Sequence, residues 1–349
     1  MSDRPGLSIV IPHRKGESIE DSLTHIRALS AGSRSVEVLT VCGNQPSVQR
    51  NACIRRSHAE FLYFLDNDSE PEPQNILRAM QLFEDSRVAV VGGPNLPRAG
   101  QQGIQRDFSA ILASPLAVGP VADRYRSSGP VREATDRELI LCNLFIRKSV
   151  LEELGAFRED LYPNEENEFM NRIQSAGYKL MYDPEIKVHR SPRPDYFSFV
   201  RMLLGYGAGR FKQMAVDFRW HNLAFFIPAL FALYILAAPL VWALFGAGIW
   251  TVEHMTLQQW LSAPVESASS WVFVLYNALL LMYGSILGFA ASQTFVRLRP
   301  PRSAISFFRL PWLFFSVHFF YGLGIWKGLM ASIKKEKKVV EYEIQELQL

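Results

Sequence analysis

The chain has 349 residues and 37 basic against 34 acidic side chains; a net charge of +3, with no N-terminal basic stripe interleaved with aromatics, argues against nucleic acid. Cys42, Cys53 and Cys142 are odd in number and form no C-x-x-C pair, which argues against a disulfide framework or zinc site and for core residues in a reducing compartment. The near-zero mean hydropathy averages two solvents: charged and apolar residues mix up to about Trp220, and runs of Phe, Leu, Ala and Ile follow.

The first apolar run, Leu7 to Pro12, is too short for a signal peptide, so the first part of the chain is expected in the cytoplasm. That run is β-branched and ends in Pro and a polar cluster, as a first buried parallel strand would. His13 to Glu17 leads into a helix near Ile19 to Leu29; Val36 to Val41 is a second strand, Ser47 to Ser57 a helix, Phe61 to Leu65 a third strand. This alternation predicts an α/β doubly wound sheet with ligands at the carboxyl ends of strands: Pro12 to Glu17, Cys42 to Asn44 and Asp66 to Asp68.

Asp66-Asn67-Asp68 is the only D-x-D of the sequence. Where the period of two persists, both carboxylates project to one side and can share a divalent cation; hard oxygen ligands suit Mg²⁺ or Mn²⁺, which can neutralise a diphosphate. The other reading is plain turn chemistry. Val88 to Gly93 is a further strand, whose glycines let backbone pass close to something or simply turn. Arg98 to Arg132 has little periodicity and is expected to form an acceptor-side flap. Leu139 to Arg147 returns to strand character, and a helix from Ser149 to Leu154 ends at Gly155. Glu165, Glu166 and Glu168 then open a helix, either to suit its macrodipole, at ~0.3 to 1 kcal/mol each, or to do chemistry.

Tyr196 to Trp220 mixes apolar residues with Arg201, Arg210, Lys212 and Arg219, as helices in a headgroup region do, and 196–222 is expected to be interfacial. Leu223 to Ile249 and Trp271 to Val296 each exceed 20 residues without a formal charge, enough to cross a bilayer. The loop between them carries Glu253 and Glu266, whereas Arg297, Arg299, Arg302 and Arg309 follow the second, so both ends of the hairpin are expected in the cytoplasm. Leu310 to Trp326 is only 17 residues and contains Pro311, His318 and two glycines. The expectation is a membrane part over 223–349, with spans near 223–249 and 271–296, a re-entrant segment (or else a third span) near 305–330, and a charged cytoplasmic tail over 331–349.

Arg50-Asn51 at a helix start, followed by FLDND, resembles the "RN…FLDxD" core of family 2 inverting glycosyltransferases of the GT-A fold. IPHRKGE resembles that family's "IPxxNE", Glu165 to Arg172 its "EDxDLxxR", and GYKLMYDP with Val188-His189 its "aGyxlxydPxxxvxH". Over roughly the first 220 residues, this resemblance implies a GT-A catalytic domain at 1–195, Rossmann-like and mostly parallel. It implies nucleotide-sugar contacts at Pro12, Arg14, Glu17, Arg50, Asn51, Asp66 and Asn67, and a cation at Asp66, Asp68 and His189. His189 is alternatively a phosphate contact or a structural histidine. The catalytic base would be Glu166, with Glu165 as runner-up, and Glu168, Arg172 and Arg210 would face acceptor or phosphate. The base and the cation come from separate acidic clusters, because a coordinated carboxylate loses basicity.

The second strand departs from the family by ending without an Asp, leaving Asn44 as substitute; Glu166 replaces an Asp, and Gln213 with Arg219-Trp220 lacks the spacing of processive synthases. What is implied is a bacterial inner-membrane enzyme of exopolysaccharide or lipid-linked glycan synthesis. It would move a hexosyl group with inversion from a nucleotide-diphosphate sugar to a lipid-linked or envelope glycan. The rival class is a catalytically inactive glycosyltransferase-like membrane scaffold or sugar-sensing subunit.

Overall fold

A computed structural model describes residues 5–29, 31–32, 34–245, 268–298, 303–332 and 342–348. The N-terminal half alternates strand and helix: β1 (Leu7–His13), α1 (Glu20–Arg27), β2 (Val36–Gly43), α2 (Pro46–Arg56), β3 (Phe61–Leu65), β4 (Glu70–Pro71), α3 (Asn75–Leu82), β5 (Val88–Gly92) and β6 (Asn95–Pro97). β3 is buried at every position, as an apolar run flanked on both sides by strands must be.

The 98–132 stretch, expected as an irregular flap, instead folds into α4 (Gly103–Leu112), α5 (Pro115–Val118) and a 3₁₀ helix (Gly119–Tyr125). The helical period spans few residues of the sequence because α4 is short, and its apolar residues Ile104, Phe108 and Ile111 pack on partners far along the chain. Phe108 stacks on Phe199 at 4.2 Å. β7 (Arg132–Glu133), β8 (Asn143–Arg147), α6 (Lys148–Leu154), α7 (Glu165–Ser175), β9 (Lys179–Tyr182) and β10 (Val188–Arg190) complete this part.

The main sheet runs β11-β2-β1-β3-β8-β5-β9-β7, with β4-β10-β6 beside it. It is α/β as expected but mixed in direction. β1 is parallel to β2 and β3, and β5 to β9, whereas β8 lies antiparallel between β3 and β5. Strand composition carries no direction, so the long excursion from 93 to 142 hid this reversal. Gly93 shows what the paired glycines are for: a Cβ there would lie 2.0 Å from the Ile186 carbonyl oxygen and 2.5 Å from that of Asp183.

The C-terminal half comprises α8 (Tyr196–Val216), opened by a capping box between Asp195 and Ser198, then α9 (Ile227–Leu236), α10 (Ala238–Phe245), α11 (Ala268–Arg297) and α12 (Ala304–Ser332). Val272–Arg297 and Ala304–Ser332 are each long and apolar enough to cross a membrane; Asn222–Leu236 and Ala238–Leu244, bent by 41°, make a third candidate if taken as one span. The 246–267 part of the expected hairpin lies outside the described residues. The segment expected to be short and re-entrant is one continuous 29-residue helix with Pro311 inside it, ~43 Å long at 1.5 Å per residue.

α12 lies along α8 with backbones in contact: a Cβ on Gly324 would meet the Leu204 carbonyl at 2.6 Å, and one on Gly207 the Tyr321 carbonyl at 2.2 Å. Contacts with the sheet-bearing part recur along α12, from Arg309 paired with Asp107 at 2.9 Å to His318, 3.0 Å from the Leu116 carbonyl. Accordingly 44% of its most apolar window is buried by protein, against 11% for α11. Within the tail, β11 (Tyr342–Gln348) is not loose: it pairs antiparallel with β2, Ile344 opposite Val41 and Leu347 opposite Val38.

Candidate active site

At the end of β3 the chain turns at Asp66, whose carbonyl accepts from Ser69 N at 3.1 Å while Ser69 Oγ accepts from Asp66 N at 3.1 Å. The side chains do more than turn chemistry requires. Arg50 on α2 donates to one Asp66 oxygen at 2.9 Å, and Arg190 at the end of β10 reaches the other at 2.9 Å. Arg190 also donates to Asp68 at 2.6 Å, so both carboxylates converge on a single cationic group. Among the described residues Asp66 has both oxygens engaged by arginines and Asp68 one. Burial alone would raise the Asp66 carboxyl, but Arg190 and Arg50 hold it below the usual carboxylate range. Two hard carboxylates that converge on a guanidinium also fit one Mg²⁺ or Mn²⁺.

Arg50 links this turn to α7 by donating to Glu165 at 3.1 Å. Glu165 is nearly inaccessible, and burial, opposed by Arg50, pushes its carboxyl up. Glu166 has no hydrogen-bonded side-chain partner among the described residues and borders open space; burial and the adjacent Glu165, opposed by Arg124, push it up to about 7. The two acids are thereby differentiated, one clamped by a guanidinium and the other poised near neutrality.

On the other side of the turn, Glu17 accepts from the Arg14 backbone N–H at 2.9 Å and from Asn67 at 3.3 Å, tying the loop after Pro12 to the D-x-D loop. Gln49 donates to the carbonyls of His13 and Val41, at 3.0 and 2.7 Å, and braces the ends of β1 and β2 from behind.

Four expected site residues are engaged elsewhere. Asn51 is buried and latched to Phe157 by two hydrogen bonds and to Glu159 by a third, so its polar atoms face the 157–159 segment. His189 bonds Glu72 at 2.9 Å and the Pro97 carbonyl at 3.2 Å; its neighbour Arg190 takes the D-x-D. Glu168 pairs with Arg172 at 2.8 Å, and Arg172 caps the carbonyls of Leu154, Gly155 and Ala156, so this pair fastens α7 to the end of α6.

A cavity of about 550 Å³ joins these parts. Arg50, Asp66, Glu165 and Glu166 line it together with Ile227 and Pro228 at the start of α9 and Val317, His318 and Tyr321 of α12. Arg210 lines it too, paired with Asp136 at 3.2 Å and with its guanidinium 4.3 Å from the Phe225 ring. A second cavity of about 360 Å³ meets the first across Tyr125, Ile140, Arg190, Arg193 and Tyr206. Sequence reasoning missed Arg190, Arg193 and Arg124. A signal for Arg190 existed: by period two it shares the face of buried Val188, and a cation there requires an acid partner.

A family model described as Glycosyl transferase family group 2 matches residues 61–334. O-antigen chain rhamnosyltransferase WbaN of Salmonella anatum is 28% identical over 53% of this chain and 64% of its own length; glycosyltransferase AglE of Haloferax volcanii is 25% identical over 55% and 59%. The chain thus spans under two thirds of these relatives. Among solved structures, mannosyltransferase PcManGT from Pyrobaculum calidifontis, in complex with GDP-Man and Mn²⁺, superposes with a TM-score of 0.51 at 16% identity over 93% of this chain and 87% of that one, a likeness of fold. Because the family model spans most of the chain, including the D-x-D turn, the Glu165-Glu166 helix and the C-terminal helices, the protein belongs to family 2 of the glycosyltransferases, with a GT-A-type α/β core.

Proposed function

We propose that this protein is a metal-dependent, inverting glycosyltransferase of a bacterial inner membrane, carrying a sugar from a nucleotide-diphosphate donor to a hydroxyl of a lipid-linked or envelope glycan. The observation that carries this reading is the 550 Å³ cavity, lined both by Asp66 and Glu166 and by residues of the helices α9 and α12. An acceptor anchored in lipid needs such a path from bilayer to base. The O-antigen name of one relative agrees with an envelope glycan acceptor, and the donor and ion held by the structural neighbour are of the proposed kind.

In this mechanism the Pro12 to Glu17 loop and Asn67 position the nucleotide, while Asp66 and Asp68 would hold Mg²⁺ or Mn²⁺, which would neutralise charge on the leaving diphosphate. Glu166 accepts the acceptor hydroxyl proton as that oxygen attacks the anomeric carbon; the bond to the diphosphate oxygen breaks with its electron pair, and configuration inverts. Glu165, neutralised by Arg50, shapes the basicity of Glu166.

Two crossings, near 223–249 and 271–296, carry the chain out and back, and α12 lies on the cytoplasmic face. β11 supports this by parity: it pairs with β2 of the same sheet that begins the chain, so the number of crossings between them is even.

The test is transfer by the purified full chain in detergent, with Mn²⁺, a panel of nucleotide sugars and lipid-linked acceptors extracted from envelope. A product whose anomeric configuration by NMR is opposite to the donor's is expected. Retained configuration contradicts the mechanism, and absence of both transfer and donor hydrolysis returns the protein to the scaffold class.

A further inference from the structure

Arg190 is the cation on which the D-x-D turn closes. Its Nη1 lies 2.9 Å from Asp66, its Nε 2.6 Å from Asp68, and its side chain is 22% exposed. The contacts continue through Arg50, 2.9 Å from Asp66 and 3.1 Å from Glu165. The connected groups are therefore Glu165, Arg50, Asp66, Arg190 and Asp68, three anions and two cations, a net charge of −1. A divalent ion entering alone would change that to +1 and set itself against a guanidinium already on the same oxygens. An ion entering with a nucleotide-diphosphate sugar, which brings about two negative charges, leaves it at −1.

We propose that Arg190 is the resident cation of the D-x-D turn: it keeps Asp66 and Asp68 converged while donor is absent, and passes to the diphosphate oxygens when donor and divalent ion arrive together. The inference rests on reading Asp66 and Asp68 as the cation site. Arginine suits the exchange because its planar fork matches a carboxylate pair and a diphosphate equally well. Arg190 also borders both cavities, which gives its guanidinium room to turn. Its role is positional, setting the order in which ion and donor are admitted.

Binding of Mn²⁺, followed by the electron paramagnetic resonance of the free ion on the full chain in detergent, tests this without turnover. The wild type is expected to take up Mn²⁺ alone at least tenfold more weakly than Mn²⁺ with GDP or UDP. Arg190→Gln should bind Mn²⁺ alone at least tenfold more tightly than wild type and lose most of the gain that the nucleoside diphosphate brings. Misfolding would weaken the site, so a gain in affinity is not its product. Arg190→Lys, which keeps the charge but not the fork, should stay weak for Mn²⁺ alone and gain less from the nucleotide. Equal affinity for Mn²⁺ alone in wild type and Arg190→Gln, with Asp68→Asn abolishing uptake in both, overturns the role of Arg190 and leaves the cation site standing. Mn²⁺ uptake unchanged by Asp68→Asn overturns the site itself, and the inference with it.

Discussion

Glu166 is held under two opposing demands. Burial and the neighbouring Glu165 push its carboxyl up from 4.5 to about 7, so the folded protein binds this proton more tightly than the unfolded chain does. Stability from this group is complete below pH ~4.5 and falls as pH rises to about 7, whereas a general base works only when ionised. The transfer rate should therefore climb through pH 7 to a plateau, whereas the thermal midpoint should decline earlier, between about pH 4.5 and 7. Glu166→Gln should flatten the decline in the midpoint; a wild-type rate that is flat from pH 5 to 8 would contradict the assignment. Residues whose chemistry is local were legible: Asp66 and Asp68 are two apart, and Glu165 and Glu166 adjoin. Arg190 was not, because its partner Asp68 lies 122 positions away and no local pattern encodes the pairing. Asn51 and His189 show the converse: a motif position says nothing about which way a polar side chain turns once the backbone of 157–159, or Glu72, offers it a partner.

β3 was read with its observed limits because five consecutive apolar residues between turn signals admit few alternatives. α4, β8 and α12 were harder, since each is defined by a distant partner: Phe199 for α4, β3 and β5 for β8, α8 for α12. The Gly207, Gly324 and Gly328 contacts explain how a helix of membrane-like composition packs closely on α8. Together α12 and β11 predict the topology. A reporter active only outside the cytoplasm should be silent when fused after Leu349 and active when placed between Glu253 and Glu266. Activity from the C-terminal fusion would mean an odd number of crossings and would be incompatible with β11 pairing with β2.

At the scale of the molecule, a GT-A-type sheet is accompanied by a packed group of helices, α4, α5, α8 and α12, and Glu165 and Glu166 of α7 line a cavity that these helices also border. The proposed cation site and the proposed base come from different parts of the chain, the turn after β3 and α7, joined through Arg50, so on this reading donor binding and proton removal are separable by substitution. Composition revealed that the chain has two parts; it could not reveal that the last strand returns to the first part, because Tyr342–Gln348 carries charged and apolar residues in no pattern distinctive of an inner sheet edge. The most direct test of the account is donor affinity by calorimetry, measured beside the transfer rate, in Glu166→Gln. The account predicts wild-type affinity for the nucleotide sugar in Mn²⁺ and a transfer rate lower by ~10² to 10⁴. Turnover at the wild-type rate would contradict it.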